Sequence, residues 1–419
     1  MIPEPVTLPQ RPRISMRSSA RFFHLVDIIA RANEPTATQL SALERSYKST
    51  GEFLSACPEF NGDLIQIHAQ GSRQLGTIVR PNDSSREGFD IDLIARLASG
   101  ARQKYDGEHG PALLLDRLHR ALSRYADAHG LRLHRWERCA TLEYAEGMCA
   151  DIAPVIDAPL LAAPFGGTHG LIPDRELRLF NSTNPRGYAK HFDIAAAVSP
   201  NFSEAKIFVN AMDSVSRAEV TPLPAAQEVF DRLLCRLVQL LKLHRNVAFG
   251  VALDSQDMAP SSVFLTTLAA MAYAVEAPQP HASPLELLLD IVERMPLHFE
   301  RIPRSDSYEE WVLPNPSAPR DNLAGGMNSP ERQTAFFSWH RRLIGDLKRI
   351  LSAIENHEGM DILIKALEGA FGPRCAGAIQ QDQAQRRQDS RSAGRVTLIS
   401  SAAATPIIVT ARPHTYFGR

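Results

Sequence analysis

The sequence lacks the features that would assign it at once to a membrane, secreted or nucleic-acid-coating class. Its 46 Lys and Arg nearly balance 47 Asp and Glu, so the basic excess typical of proteins that hold long nucleic acid is absent. No stretch approaches about 18 consecutive apolar residues, and the proline-rich start has no apolar run of signal-peptide length. The five cysteines are scattered and form no CxxC pair, which argues against a disulfide framework. We therefore expect a cytoplasmic protein with no membrane contact and no stable long nucleic-acid ligand.

The chain does contain enough apolar sequence for a substantial core, 44% of 419 residues. Alternating apolar positions predict strands at 65–70, 89–97, 131–136 and 148–156, and helical spacing predicts helices at 19–32, 36–56 and 111–129. The helix at 111–129 has one apolar face, formed by Leu114, Leu118, Leu122 and Tyr125. We predict an α+β fold with a mixed first lobe at 19–224, after a proline-rich lead at 1–18.

The pattern becomes helical in the second half of the chain. Val229 begins an apolar stripe at helical spacing, and Ser283-Pro284-Leu285-Glu286 is typical of a helix start with a capping box. We therefore predict a helical second lobe at 225–373. Residues 380–395 are rich in Gln, Arg, Ser and Asp, which predicts a mobile linker within a flexible tail at 374–419.

Two carboxylates share one face of a predicted strand in Phe89-Asp90-Ile91-Asp92-Leu93. Side chains alternate faces along a strand, so Asp90 and Asp92 point the same way and the apolar residues point the other way. Two neighbouring carboxylates repel each other, and a divalent cation such as Mg²⁺ or Mn²⁺ would relieve that repulsion while binding nucleotide phosphates. The alternative for an isolated pair is two strand-edge aspartates in solvent or in salt bridges.

Two further motifs make that alternative less favourable. Gln70-Gly71-Ser72 follows a strand directly, and a glycine there permits close approach of the backbone to a phosphate. Asp151 interrupts a run that otherwise suits a buried strand. Each motif has an alternative interpretation when it is taken alone: the first as a turn with a capping serine, and the second as a salt-bridged aspartate. Together with Asp90 and Asp92 they form a far more specific set.

This set resembles the active-site signature of the polymerase-β-like nucleotidyltransferases. The longer run Gln70-Gly71-Ser72-x-x-x-Gly76-Thr77 is similar to the bacterial relatives of cyclic GMP–AMP synthase, the CD-NTases of CBASS anti-phage operons. Other stretches agree with that family: Asn184-Pro185-Arg186-Gly187-Tyr188, Leu241-Lys242-Leu243-His244-Arg245, and Pro314-Asn315-Pro316 followed by Asp321-Asn322-Leu323. The resemblance spans roughly residues 20–370 and implies a bilobed fold, with a nucleotidyltransferase core of mixed sheet and flanking helices before a helical nucleotide-binding lobe.

The resemblance also implies roles for individual residues. Asp90 and Asp92 would bind two Mg²⁺ or Mn²⁺ ions, and Asp151 would bind the one that activates the attacking hydroxyl. The nucleotide would be held by Gln70, Gly71, Ser72, Lys242 and either Ser261 or Ser262. The alternative for Lys242 is a solvated lysine near a helix end. No Cys/His spacing matches the zinc insertion of the animal enzyme, which argues against activation by double-stranded DNA.

The implied activity is condensation of nucleoside triphosphates, ATP among them, into a cyclic di- or trinucleotide that serves as a second messenger in anti-phage defence. Alternatives with the same aspartates are a linear oligonucleotide synthase and a nucleotidyltransferase acting on RNA or protein. An alternative of another class is a catalytically silent nucleotide sensor. The resemblance further implies that an operon-encoded regulatory protein could dock on the tail, where 397–410 regains strand-forming residues; its alternative is an edge strand folded onto the core.

Overall fold

A mixed sheet flanked by helices is followed along the chain by a helical region in a computed structural model of the protein. The residues that it describes are 14–60, 62–80, 89–144, 147–159, 167–202, 233–250, 258–305, 308–318, 320–392, 395–398 and 407–410. Most of the proline-rich lead, the stripe residue Val229 and residues 411–419 lie outside them.

Two helices precede the sheet, as predicted. Helix α1 spans Met16–Asn33 and α2 spans Ala37–Ala56. Ser15 and Thr36 cap them, because each side-chain oxygen accepts a hydrogen bond from a backbone N–H in the first turn. The two helices therefore begin at side chains that satisfy their exposed backbone donors.

The sheet has the strand order β1-β2-β5-β4-β3, with β6 pairing with β5 and β7 pairing with β6. The strands are β1 Leu64–Gln70, β2 Asp90–Leu97, β3 Arg132–Arg135, β4 Ala140–Glu143, β5 Cys149–Asp157, β6 Gly170–Asp174 and β7 Leu179–Thr183. The predicted strands are confirmed to within one or two residues at each end. Strand β2 is antiparallel to β1 and parallel to β5, and this pairing sets the carboxylate motif beside β5.

Helix α4 (Gly110–His129) covers one face of the sheet after the one-turn helix α3 (Gly71–Gln74) and a 3₁₀ segment at Ser99–Tyr105. The four predicted apolar residues of α4 are all buried against the sheet, in a core shared with Leu93 and Leu97. The polar face of the sheet is thereby left for other contacts.

The described chain after residue 184 forms a mainly helical region, which includes the predicted helical lobe at 225–373. Its helices are α5 Pro185–Ala196, α6 Leu233–Phe249, α7 Ser262–Glu276, α8 Pro284–Arg294, α9 Pro330–Glu355, α10 Met360–Phe371 and α11 Pro373–Ser392. A parallel pair β8 (Asn201–Phe202) and β9 (Pro280–His281) and a hairpin of β10 (Glu300–Ser305) and β11 (Tyr308–Val312) accompany them. Ser283 caps α8 as predicted, although the Glu286 carboxylate accepts from the Ala282 N–H.

Helix α1 lies in the predicted first lobe by sequence but packs against the helical region. Phe22, Phe23 and Leu25 of α1 lie in the same apolar core as Leu237 of α6, so α1 packs with the helical region although it precedes the sheet. Within the described ranges, no helix is both long and apolar enough to cross a membrane.

The predicted mobile linker at 380–395 is wrong over most of its length, since α11 is helical to Ser392. A polar helix can be held by tertiary contacts, and α11 packs on α1. Arg386 is buried, donates to its i−4 neighbour Asp382 and contacts Nε2 of His24 at 2.5 Å. In the described part of the tail, β12 (Arg395–Leu398) pairs antiparallel with β13 (Ile407–Thr410) in a sheet of two strands.

Two deletions should separate the structural part of the tail from the rest. Deleting residues 380–419 removes 13 of the 20 residues of α11, including Arg386, which contacts α1, so the melting temperature should fall by several degrees. Deleting 393–419 leaves α11 in place, so the melting temperature should change little. Thermal unfolding followed by circular dichroism checks both, and equal melting temperatures for the two deletions would contradict a structural role for α11.

Candidate active site

The two aspartates of β2 project from the face of the sheet opposite to the α4 core. Asp90 is exposed and Asp92 is mostly buried, whereas Ile91 and Leu93 between and after them are buried in the core. The predicted alternation is therefore confirmed. Ile94, two residues beyond Asp92 on the same face, is buried in a small apolar cluster. Asp92 thus lies between an exposed carboxylate and apolar side chains.

Strand β5 brings the third carboxylate beside the first two. In the parallel pairing of β2 with β5, Asp92 is in register with Asp151. Burial, followed by the nearby carboxylates of Asp151 and Asp90, raises the pKa of Asp92 to about 6, and Lys242 opposes that rise. The three aspartates therefore form a repulsive cluster at one end of two neighbouring strands.

Gly71 contacts this cluster so closely that no side chain fits. Its φ is +61°, in the left-handed region that favours glycine. A Cβ at this position would lie 2.1 Å from Oδ2 of Asp92. Gln70, immediately before it, is in register with Asp92 across the β1–β2 pair. The Gly-Ser turn and the carboxylates are therefore one packed unit.

Ser72 belongs to α3 and helps to shape the loop that follows. Its carbonyl accepts a hydrogen bond from the backbone N–H of Thr77 at 3.0 Å. Thr77 is fully buried, so the loop is fixed at both of its ends. The helical region contacts this loop.

Lys242 reaches from α6 to that loop. It is only 4% exposed, and its Nζ donates to the carbonyl and the hydroxyl of Thr77 at 3.1 and 3.2 Å. Burial, and after it the Arg245 guanidinium, lowers the pKa of Lys242 to about 8, while Asp92 acts in the opposite direction. The solvated helix-end alternative is therefore wrong, since this lysine is a buried cation near Asp92.

The two serines at the start of α7 have local partners. Ser261 is the N-cap and accepts from the N–H of Phe264, and the hydroxyl of Ser262 accepts from Nη1 of Arg245 at 2.9 Å. Arg245 thereby ties the start of α7 to the helix that carries Lys242. Among the described contacts, none joins either serine to the aspartates, so their place in the site stays a prediction.

Sequence reasoning missed three residues beside Asp151. Thr141 of β4 is paired with Asp151, its hydroxyl donates to Oδ1 of Asp151, and Nε1 of Trp136 donates to Oγ1 of Thr141. Burial, followed by Asp151 and Asp92, raises the pKa of the Cys139 thiol to about 12, so this cysteine stays protonated at neutral pH. No sequence motif marks the short strand β4 or the turn before it. The pairing of β4 with β5 is what brings Thr141 to Asp151.

The donor set suits a hard cation in an open site. The three aspartates offer only oxygen ligands, and the pKa of Asp92 is raised by burial and then by the neighbouring carboxylates, whose repulsion a cation would relieve. Within the described residues, no group of three or more His, Cys, Asp or Glu side chains is arranged so that it could hold a metal ion. Mg²⁺ usually keeps several waters and shares one or two carboxylates with substrate phosphates, so an open protein site fits it.

The sequence is similar to those of known second-messenger synthetases. Residues 16–194 match the model of the Second Messenger Oligonucleotide or Dinucleotide Synthetase domain. The chain is 26% identical to a c-di-GMP synthase of Roseivirga ehrenbergii over 349 residues, 82% of each chain. It is 23% identical to the cyclic dinucleotide synthase CdnG of Bradyrhizobium diazoefficiens over 94% of each chain.

The fold is also that of solved structures. The CD-NTase CdnG of Bradyrhizobium diazoefficiens, solved in complex with GTP, superposes with a TM-score of 0.60 at 20% identity, over 87% of this chain and 99% of that one. CdnC of Escherichia coli MS115-1, solved with ATP, gives a TM-score of 0.50 at 18% identity, over 83% and 98%. The predicted α+β core with a helical C-terminal region is thereby confirmed.

Proposed function

We propose that this chain, which belongs to the CD-NTase family, condenses nucleoside triphosphates into a cyclic di- or trinucleotide second messenger with release of pyrophosphate. The observation that carries the proposal is the in-register pairing of Asp92 with Asp151 on parallel strands, against a glycine turn that admits no side chain. The proposed biological role is that of the family, defence against phage.

The cofactor proposed is a pair of Mg²⁺ or Mn²⁺ ions held by Asp90, Asp92 and Asp151. Such ions, when bound, neutralise phosphate charge and lower the pKa of the attacking ribose hydroxyl. The protein supplies what surrounds them. The β2–β5 pairing fixes the spacing of the carboxylates, and the missing side chain at Gly71 leaves room for the Asp92 carboxylate beside the turn.

The triphosphate would be clamped between the two lobes. Gln70, Gly71 and Ser72 lie on the sheet side, and Lys242 lies on the helical side with a buried Nζ. With a pKa of about 8, this lysine is mostly cationic at pH 7, and its present acceptors on Thr77 are neutral. A phosphate oxygen is a stronger acceptor for an ammonium group. Ser262, which accepts from Arg245, or Ser261, the N-cap of α7, would complete the helical side.

Replacing Lys242 by methionine, which keeps most of the apolar stem, should weaken triphosphate binding by about 1–3 kcal/mol, the usual scale for a charge-assisted hydrogen bond. Ser72→Ala should act in the same direction with a smaller effect. Isothermal titration with a nonhydrolysable ATP or GTP analogue and Mg²⁺ checks this. Lys365→Met, which removes an exposed lysine from α10, is the control. Unchanged affinity of Lys242→Met would reduce the lysine to a structural link between the lobes.

The test of the function is product identification. Purified protein is incubated with all four nucleoside triphosphates and Mg²⁺ or Mn²⁺, and products are separated and identified by mass spectrometry. A cyclic di- or trinucleotide with matching pyrophosphate is the expected result. If all products are linear, the protein is a linear oligonucleotide synthase. Labelled RNA or protein would favour a transferase that acts on macromolecules, and the absence of pyrophosphate would favour a silent sensor.

A regulatory protein docking on the C-terminal segment remains part of the proposal. Among the described residues, β12 and β13 are hydrogen-bonded as strands only to each other. A protein encoded beside this chain should therefore bind the full-length protein and lose binding when 393–419 are deleted, with synthesis in its absence unchanged. Retained binding by the deletion variant would place the docking surface elsewhere.

A further inference from the structure

Thr141 and Trp136 lie beside the proposed metal ligands without being ligands themselves. The antiparallel pairing of β4 with β5 places Thr141 directly opposite Asp151. Thr141 is buried between two buried apolar neighbours on its strand, Ala140 and Leu142. Its hydroxyl is therefore a polar group held inside the sheet, with the Asp151 carboxylate as its acceptor.

Trp136 fixes the direction of this hydrogen bond. An indole N–H can only donate, so at the 2.8 Å contact Oγ1 of Thr141 must be the acceptor. The hydroxyl proton of Thr141 is then directed to Oδ1 of Asp151, which accepts the hydrogen bond. The chain of hydrogen bonds from Trp136 to Thr141 to Asp151 consequently has a single direction.

The position of Trp136 is itself set by the turn between β3 and β4. Its backbone N–H donates to the carbonyl of Cys139 at 3.1 Å. The side chain is 57% exposed, so the core gains little from it. The contact that distinguishes this tryptophan from other apolar residues at an exposed turn is its hydrogen bond to Thr141.

The consequence concerns the orientation of Asp151. Asp92 and Asp151 face each other in register, and their repulsion would turn the carboxylates apart in the absence of a restraint. The Thr141 hydroxyl engages one oxygen of Asp151 and leaves the second for an ion. Partners of this kind orient the groups that bind a metal, and their loss typically costs about 10–100-fold in metal affinity or activity.

We propose that Thr141 and Trp136 are positioning residues that hold the Asp151 carboxylate in the orientation in which it binds a divalent cation. The inference rests on the proposed function, because it assigns to Asp151 the part of a metal ligand. It adds two residues to the site that have no contact with the nucleotide in this proposal and act only through Asp151.

The test uses the full chain and four variants. Thr141→Val removes the hydroxyl at constant shape, Thr141→Ser restores it, and Trp136→Phe keeps an aromatic ring without the N–H. Thr50→Val is the matched control, because Thr50 is a buried threonine of α2 whose hydroxyl bonds to the Ser46 carbonyl. Mn²⁺ binding in the presence of a nonhydrolysable ATP or GTP analogue is measured by electron paramagnetic resonance, independently of turnover.

Thr141→Val should weaken Mn²⁺ binding by about 10–100-fold, and Trp136→Phe should weaken it by a few-fold. Thr141→Ser and Thr50→Val should bind as the wild type does. In synthesis assays the Mn²⁺ concentration for half-maximal rate should rise in the same order, while the KM for nucleotide at saturating Mn²⁺ stays nearly constant. If Thr141 only stabilised the fold, its substitution would not raise the Mn²⁺ requirement while leaving the KM for nucleotide unchanged.

Wild-type Mn²⁺ affinity in folded Thr141→Val, or a Thr141→Ser variant as impaired as Thr141→Val, would overturn the proposal. If Thr141→Val does not fold, the Mn²⁺ affinity of Trp136→Phe tests the proposal instead, because this substitution changes an exposed side chain and should not disturb folding. A wild-type protein that binds Mn²⁺ with the analogue but makes no product would refute the proposed function and leave the positioning role standing. A wild-type protein that binds no Mn²⁺ would refute both.

Discussion

Replacing Asp90 and Asp92 together by asparagine should reduce product formation from nucleoside triphosphates by at least roughly 10³-fold. The expectation follows from the loss of two carboxylates on one strand face, which removes the sites for the proposed cations. Cations of this kind contribute several kcal/mol of transition-state charge stabilisation, and about 4 kcal/mol corresponds to 10³ in rate. Pyrophosphate release at saturating nucleotide and Mg²⁺ provides the measurement.

The same substitution should stabilise the metal-free protein. The pKa of Asp92 is raised from 3.8 to about 6 in the folded state, so protonated Asp92 is favoured by folding and ionised Asp92 is disfavoured. Stability that is fully present below pH 3.8 is therefore lost as the pH rises through about 6. The loss at pH 7 is on the order of 3 kcal/mol, and asparagine, which does not ionise, avoids it.

Urea unfolding in the presence of EDTA tests whether the substitution raises or lowers the free energy of unfolding. The stability of Asp92→Asn relative to wild type should increase from pH 4.5 to pH 7, and Mn²⁺ added to the wild type at pH 7 should reduce the difference. Asp127→Asn, which removes an exposed carboxylate from α4, should show neither the loss of activity nor the pH-dependent gain. A stability difference that does not change with pH would mean that neither burial nor the neighbouring carboxylates raise the pKa of Asp92 in the folded protein.

The sequence could predict the chemical groups of the site because they depend on local pattern. Alternation along β2 puts Asp90 and Asp92 on one face whatever the rest of the fold does. A glycine after a strand marks a close approach of backbone to another group. The identity of that group, the Asp92 carboxylate itself, required the structure.

Contacts between distant segments could not be predicted in the same way. The register of Asp92 with Asp151 depends on which strands pair, and periodicity within a strand does not specify its neighbour. The link from Lys242 to Thr77 spans the two lobes, and a buried lysine has the same sequence signal as a solvated one. The helix α11 has the composition of a linker, and its contact with α1 supplies the order that its composition does not suggest.

Gly71→Ala should reduce synthesis by about 100-fold. Two independent costs add at this position. An alanine at φ +61° adopts the left-handed conformation at a cost of about 1–2 kcal/mol. The new Cβ would also lie 2.1 Å from Oδ2 of Asp92, so either the carboxylate or the turn must move. A displacement on the order of 1 Å at reacting groups is enough for a 100-fold loss of rate.

Two other glycines separate the cost of backbone strain from the cost of the clash with Asp92. Gly76 in the same loop and Gly130 after α4 have φ values of +67° and +64°, and a Cβ at either would meet nothing within 4 Å. Gly76→Ala and Gly130→Ala should therefore lose stability as Gly71→Ala does from backbone strain, but change the rate of synthesis by no more than a few-fold. In an Asp92→Ala background, where the clash is gone, Gly71→Ala should lose less stability than in the wild type. Equal rates for Gly71→Ala and Gly76→Ala would show that the contact between Gly71 and Asp92 has no part in catalysis.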